Sequence, residues 1–163
     1  MLGDLPTTTN TGLTGTAGTG VAVTDEDCGV FLTTSGGGIA YTSSVPAPPY
    51  KVSALVAPHM KLNVAGLGWY DGTKLHFMYS GTPFVDTARR VNVQKNSAVN
   101  TYSGTDAQIT TSLSTAMQWL QIADDGTNIT FSCSLDGFSW YIIYTHAKST
   151  AYLGSAGYSK IMI

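Results

Sequence analysis

An all-β fold, an antiparallel β-sandwich, follows from three features of this sequence. Only 11% of its 163 residues are charged, against roughly 25% in an ordinary globular chain, and Gly, Ser and Thr fill the remaining polar positions among many Val, Ile and Tyr. Apolar runs of period two recur roughly every 8–12 residues, separated by Gly, Pro, Asp or Ser. No apolar stripe at helical spacing reaches a useful length. Residues 106–120 come nearest, and Thr110-Thr111 with Ser112 and Ser114 argue against a helix there.

Taken in order, residues 1–27 read as a Gly/Thr-rich extended lead-in or linker, and 28–163 as the sandwich domain. Thr7-Thr8-Thr9-Asn10-Thr11-Gly12 and then Gly15, Gly18 and Gly20 bury little and lose much backbone freedom on ordering. Short strands are expected at 29–34 and 39–41, around the flexible Ser35-Gly36-Gly37-Gly38. Pro46, Pro48 and Pro49 remove ladder donors, which makes 45–49 an edge or crossover segment. Residues 50–57 alternate, and 62–70 form a Gly-interrupted strand. Asp71-Gly72-Thr73-Lys74 turns the chain, and 75–79 returns. After a second turn at Ser80-Gly81-Thr82-Pro83, residues 88–95 alternate again. Residues 96–114 read as a polar loop crossing between sheets. Residues 159–163 are either the closing strand or the cut end of a longer chain.

The strongest local signal is 119–144. Asp125-Gly126 and Asp136-Gly137 separate three alternating runs. Both positions of such a pair tolerate positive φ, so each reads as a tight hairpin turn. In the first run Trp119, Gln121 and Ala123 oppose Leu120, Ile122 and Asp124. In the second, Ile129, Phe131, Cys133 and Leu135 share the apolar face, against Thr130, Ser132 and Ser134. In the third both faces are apolar, so the strand is covered on both sides or carries an exposed aromatic row. Trp119 and Trp140 are assigned to the core. The spacing is compatible with jelly-roll and with Greek-key wiring alike.

The composition narrows function. A formal charge of −2 with eight basic residues, and no basic run beyond Arg89-Arg90, gives no nucleic-acid footprint. No apolar run has the length of a membrane span, and the first residues show no secretion signal. Cys28 and Cys133 read as small apolar core residues rather than as a disulfide. The two Cys and three His have no zinc spacing, and no metal or cofactor is expected. So low a charge suits a chain packed into an assembly.

Catalysis finds little support. Glu26 is the single Glu, and Asp25-Glu26-Asp27 alternates about a strand or turn instead of presenting the facing carboxyl pair that glycoside hydrolysis needs. There is no Gly-x-Ser-x-Gly elbow, and the glycine runs lack a phosphate-loop ending. Asp124-Asp125-Gly126-Thr127-Asn128 has the oxygen chemistry of a Ca²⁺ loop, but a hydrogen-bonded hairpin turn explains it better. Sugar recognition is the stronger alternative, since aromatic rings stack on pyranose faces while polar groups hold hydroxyls. Tyr70, Tyr79, Tyr102 and Tyr141 are the candidate carbohydrate-binding residues. Tyr70 and Tyr141 are favoured because they lie in opposite phase to Trp69 and Trp140.

A strand opening Trp119-Leu120-x-Ile122, an Asp124-Asp125-Gly126 turn, Phe131-x-x-Ser134-x-Asp136-Gly137 and the closing Trp140 together resemble the concanavalin A-like lectin/glucanase sandwiches. The closest likeness is to domains carried by bacteriophage tail fibres and other virion proteins. Ala65-Gly66-Leu67-Gly68-Trp69-Tyr70-Asp71 and the lead-in Leu5-Pro6-Thr7-Thr8-Thr9 fit the same pattern. The resemblance covers roughly residues 28–160. It implies a jelly-roll sandwich in a non-enzymatic virion structural protein, of tail-fibre or head-decoration type, located at the particle surface or tail. It further implies other virion proteins as partners, a homo-oligomer with a trimer favoured, and a host-surface glycan as a further ligand. A carbohydrate-binding module is the alternative, and a glycoside hydrolase the remote one.

Overall fold

The computed structural model describes residues 12–26, 29–57, 64–82, 90–110 and 117–163. The strands are β1 (Leu13–Gly18), β2 (Ala22–Glu26), β3 (Gly29–Thr33), β4 (Gly38–Thr42), β5 (Tyr50–Val56), β6 (Val64–Tyr70) and β7 (Leu75–Gly81). They continue with β8 (Arg90–Ala98), β9 (Thr101–Thr110), β10 (Gln118–Asp124), β11 (Asn128–Ser134), β12 (Tyr141–Ala147) and β13 (Lys160–Met162), with one turn of helix, α1 (Gly154–Gly157), before β13. A seven-stranded sheet runs β1-β4-β13-β6-β7-β8-β9 and a four-stranded sheet β12-β11-β10-β5, while β2 and β3 form a separate hairpin. The ladders are antiparallel, giving the all-β sandwich expected of the sequence.

The three Asp-Gly turns share one device, an Asp Oδ1 that accepts the N–H groups two and three residues further on. Asp71 Oδ1 accepts the N–H groups of Thr73 and Lys74 at 2.7 Å each. Asp125 Oδ1 accepts those of Thr127 and Asn128 at 2.7 and 2.6 Å. Gly126 has φ +92°, the conformation that selects Gly after Asp. The second turn of the 119–144 stretch differs from expectation. Six residues, 135–140, separate β11 from β12, so it is a looped connection rather than a tight hairpin.

The main core lies between the sheets. Leu67, Trp69, Met78, Val91 and Val93 of the large sheet meet Leu120, Ile122, Ile129 and Phe131 of the small one. Trp69 is fully buried. Its indole donates to Tyr50 Oη at 2.9 Å and meets Phe131 edge-on at 5.2 Å. Trp119 and Trp140, expected in the core, are only half-buried. On β10 it is Gln118, Leu120, Ile122 and Asp124 that turn inward, which puts Trp119 on the opposite face, its indole 3.0 Å from where a Cβ on Gly137 would sit.

A second cluster, Ile39, Tyr70, Leu75 and Met162, is built on the opposite face of the seven-stranded sheet, with Ala17, Tyr41, Phe77 and Val99 packed around it. A Cβ built on Gly37 would lie 2.6 Å from Oδ1 of Asn100. The connection before β4 therefore meets the β8–β9 turn across β13, β6 and β7, and the outer face is concave at this end. β6 is glycine-interrupted for a packing reason. Gly66 and Gly68 pair with Tyr79 and Phe77, whose Cβ atoms stand 3.2 and 2.3 Å from the Cβ positions the glycines leave empty.

Three regions depart from the sequence reading. Within residues 1–27, expected as a lead-in, 13–18 are β1, paired with β4 at the edge of the large sheet, and 22–26 are β2, paired with β3. Residues 1–11, and the Cys28 end of a Cys28–Cys133 pairing, lie outside the described residues. Residues 101–110, expected in a crossing loop, are β9. The third apolar run starts one residue later than expected and is bulged. Phe131 pairs with Tyr144 but Ser132 with Ile142, so Ile143 is the extra residue. This shift of phase puts Tyr141 and Tyr144 on one face of β12 and Ile142 with Thr145 on the other. Residues 160–162 are the closing strand, β13, between β4 and β6.

Candidate functional site

The register brings three of the four candidate tyrosines to the outer face of the large sheet. Cross-strand partners share a face. One row runs Lys160, Tyr70, Leu75, Asn96, Tyr102. The next runs Tyr41, Met162, Gly68, Phe77, Gln94, Thr105. A third runs Gly66, Tyr79, Asn92, Gln108. Tyr70 and Tyr79 are nevertheless buried, at 7% and 3% exposure, so neither forms an exposed stacking wall. The phase argument holds in placing Tyr70 opposite Trp69, but this sheet is covered on both faces there. Lys160 lies over the rings of Tyr41 and Tyr70, 5.0 and 5.6 Å from their centroids. Tyr70 donates to Gly72 O at 2.6 Å, and burial, with Tyr41 and Asp71 nearby, raises its pKa.

Further along this face the side chains become polar, and Arg90 donates to Gln108 Oε1 at 2.7 Å. Asn92 Nδ2 donates to Tyr79 Oη at 2.9 Å and lies 3.4 Å from Thr105 Oγ1, which meets Tyr102 Oη at 3.3 Å. Gln94 donates to Asn96 Oδ1 at 2.7 Å. Tyr102 is 63% exposed, and Thr105 and Gln108 beside it are exposed.

Tyr141 belongs to a different place. It is 65% exposed and lines a cleft of about 470 Å³ where the two sheets part. Val91 of β8, Ile109 of β9, Gln118 of β10, and Cys133 and Leu135 at the end of β11 form the other walls. Its polar groups are already engaged. Gln118 Oε1 accepts from Ser80 at 2.9 Å. Ser134 Oγ donates to Asp136 and accepts from the backbone N–H of Gly137. Asp136 Oδ1 also accepts the N–H groups of Ser139 and Phe138 at 2.7 and 2.8 Å, which hold its carboxyl well below the usual range. Burial pushes the Cys133 thiol up, against a hydrogen bond with Gln118 that draws it down. What remains for a ligand is largely apolar. In its wall Leu135 is 65% exposed, and Phe138, on the turn that supplies Asp136 and Ser139 to the lining, is 89% exposed; Ile142, 61% exposed, pairs with Ser132 on the other face of β12.

The interior holds a titratable chain. His76 Nδ1 lies 2.8 Å from Tyr158 Oη. His76 Nε2 is 2.9 Å from Asp106 Oδ2 but off the line of a formed hydrogen bond. Asp106 Oδ1 lies 2.6 Å from Lys95 Nζ. Asp106 reaches inward because it is the extra residue where β8–β9 pairing slips between Val93 and Gln94. The sequence of groups, hydroxyl to imidazole to carboxylate, has the order of a nucleophile with its base. But His76 and Tyr158 are 0% and 2% exposed, and burial raises the pKa of Tyr158, keeping the phenol a proton donor. The chain is an internal tie between the large sheet and the segment after β12.

The Asp124–Asn128 loop, considered for Ca²⁺, does not converge its carboxylates. Asp124 is fully buried, with Oδ1 on the N–H of Gly126 at 2.8 Å and Oδ2 on Lys148 Nζ at 2.5 Å, whereas Asp125 caps its own turn. Among the described residues no three His, Cys, Asp or Glu gather as a metal site. No family model matches the chain, and neither does any curated protein or solved structure.

Proposed function

We propose that this chain is a structural, non-catalytic domain of a bacteriophage virion, of the fibre or decoration kind its resemblance implies, and that it assembles through the apolar end of its sandwich. The observation that carries this reading is a largely apolar cleft whose wall includes Leu135 and Tyr141, each 65% exposed, beside a turn that carries the 89% exposed Phe138. Exposed apolar surface of this kind marks protein–protein contact. The uncharged composition fits a surface that is covered in the assembled particle. Sedimentation of the wild type across a concentration series should show self-association. The Leu135→Ser/Tyr141→Ser variant, with unchanged circular dichroism, should sediment as a smaller species. A wild type that stays monomeric throughout would refute the reading.

A second reading, glycan recognition, is favoured by the exposed, uncharged strip of Tyr102, Thr105 and Gln108 on β9. It replaces the buried Tyr70 and Tyr79 as the surface on which a pyranose stacks. On a glycan array, binding by the wild type that is lost in Tyr102→Ala supports it, and an array without signal rejects it.

A further inference from the structure

We infer that the occupant of the cleft is Phe138 of a second copy of this chain, each copy giving one ring and receiving one. The inference rests on the assembly reading above and specifies its contact. Phe138 is the most exposed large apolar side chain among the described residues, at 89%. It is not a loosely held loop residue. The Asp136 carboxylate accepts its N–H and that of Ser139, at 2.8 and 2.7 Å, and Gly137, at φ +78°, lies against the Trp119 indole. The ring is thus presented on a braced turn, so little ordering entropy opposes its burial in a partner.

The receiving side has matching chemistry. Val91, Ile109, Leu135 and the half-buried Cys133 supply apolar walls, and Tyr141 supplies an aromatic one. Gln118, Ser134 and Asp136, the groups that would hold a sugar or a charged peptide, are already engaged with Ser80, with the Gly137 backbone and with the turn. An aromatic side chain fits such a lining; a polyol does not. Ring and cleft stand on the same turn but are distinct features. Two copies related by a twofold axis can therefore exchange rings reciprocally through this one patch.

The test uses the full chain. Phe138→Ser removes the ring at an exposed position, and association followed by sedimentation should weaken about 30-fold or more, the scale of a central aromatic anchor, while Phe138→Trp should retain it. Independently, Phe138→Cys in a Cys28→Ser background places a thiol on the turn that can pair with Cys133 or with the same introduced thiol of another copy. Mild oxidation should give disulfide-linked species on a non-reducing gel, and adding Cys133→Ser should remove most of them; cross-linking that survives this change in full joins the introduced thiols and overturns the contact. A wild-type oligomer that Phe138→Ser leaves intact, or one in which the two thiols do not cross-link, overturns this contact while leaving the assembly reading standing. A monomeric wild type overturns both.

Discussion

Replacing Lys148 by Met should destabilise the fold far more than an ordinary surface substitution. The Asp124 side chain is fully buried, and Lys148, 15% exposed, is the cation that balances it at 2.5 Å. Removing the ammonium leaves a carboxylate in the core, a defect of about 3–5 kcal/mol. Asp124 keeps its bond from the N–H of Gly126 at 2.8 Å, which places the loss near the lower bound, about 3 kcal/mol. For a chain of this length that lowers Tm by roughly 6–12 °C. The diagnostic arm is the double variant Asp124→Asn/Lys148→Met. Its neutral amide can still accept from Gly126 and leaves no buried charge, so it should regain most of the lost stability. Urea unfolding followed by tryptophan fluorescence measures all three proteins. If Lys148→Met lies within about 0.5 kcal/mol of wild type, the range of surface changes, or if the double variant is no more stable than Lys148→Met alone, the buried-pair reasoning is wrong.

Gly68→Ala puts a Cβ 2.3 Å from the Cβ and 2.5 Å from the Cα of Phe77. It should cost at least about 1–3 kcal/mol, measured by thermal unfolding. Gly36→Ala, whose nearest neighbour is Thr19 at 3.7 Å, serves as a nearly neutral control. His76 provides a pH test. Burial lowers its folded pKa below the usual 6.5, against the pull of Asp106 and with Lys95 and His146 adding to the lowering. Between the two values the unfolded chain binds the extra proton. Stability from this residue is therefore complete above about pH 6.5 and falls as the pH drops below it. Denaturant midpoints from pH 7.5 to pH 5 in wild type and His76→Gln check this. If wild type is flat over that range, or if the variant keeps the same slope, His76 is not the responsible group. Asp106 is half-buried, which raises its pKa, but His76 and Lys95 outweigh this and hold it below its ordinary range, so its own loss falls at lower pH.

What was legible in the sequence was local. The Asp71 and Asp125 turns are written in adjacent residues, and the alternation of Leu120 with Ile122 and of Ile129 with Phe131 fixes the small sheet's inner face. Residues 101–110 were misread because an edge strand whose exposed face carries Thr and Gln has almost no apolar alternation, and the extra residue at Asp106 breaks what remains. Tyr70 is buried because opposite phase means solvent only when one face is wet, and no local pattern announces the second cluster. The His76–Tyr158 contact joins residues 82 apart, beyond any spacing rule. Phe138 did carry a signal that went unused: a large apolar side chain set in a turn of Asp, Gly and Ser has no reason of its own to be there.

The position of β13 has a kinetic consequence. The large sheet consists of two blocks, β1-β4 and β6-β7-β8-β9, and only the short strand Lys160–Met162 joins them. Until it docks, β4 and β6 each present an open edge to the surroundings. The central ladder is then the last to zip, and it closes by pairing residues whose partners were made about 90 positions earlier on β6, such as Tyr70 for Lys160, and about 120 earlier on β4, such as Tyr41 for Met162. Such non-local closure is slow, and the waiting edges are where a chaperone, or a neighbouring nascent chain, would find this protein most adhesive.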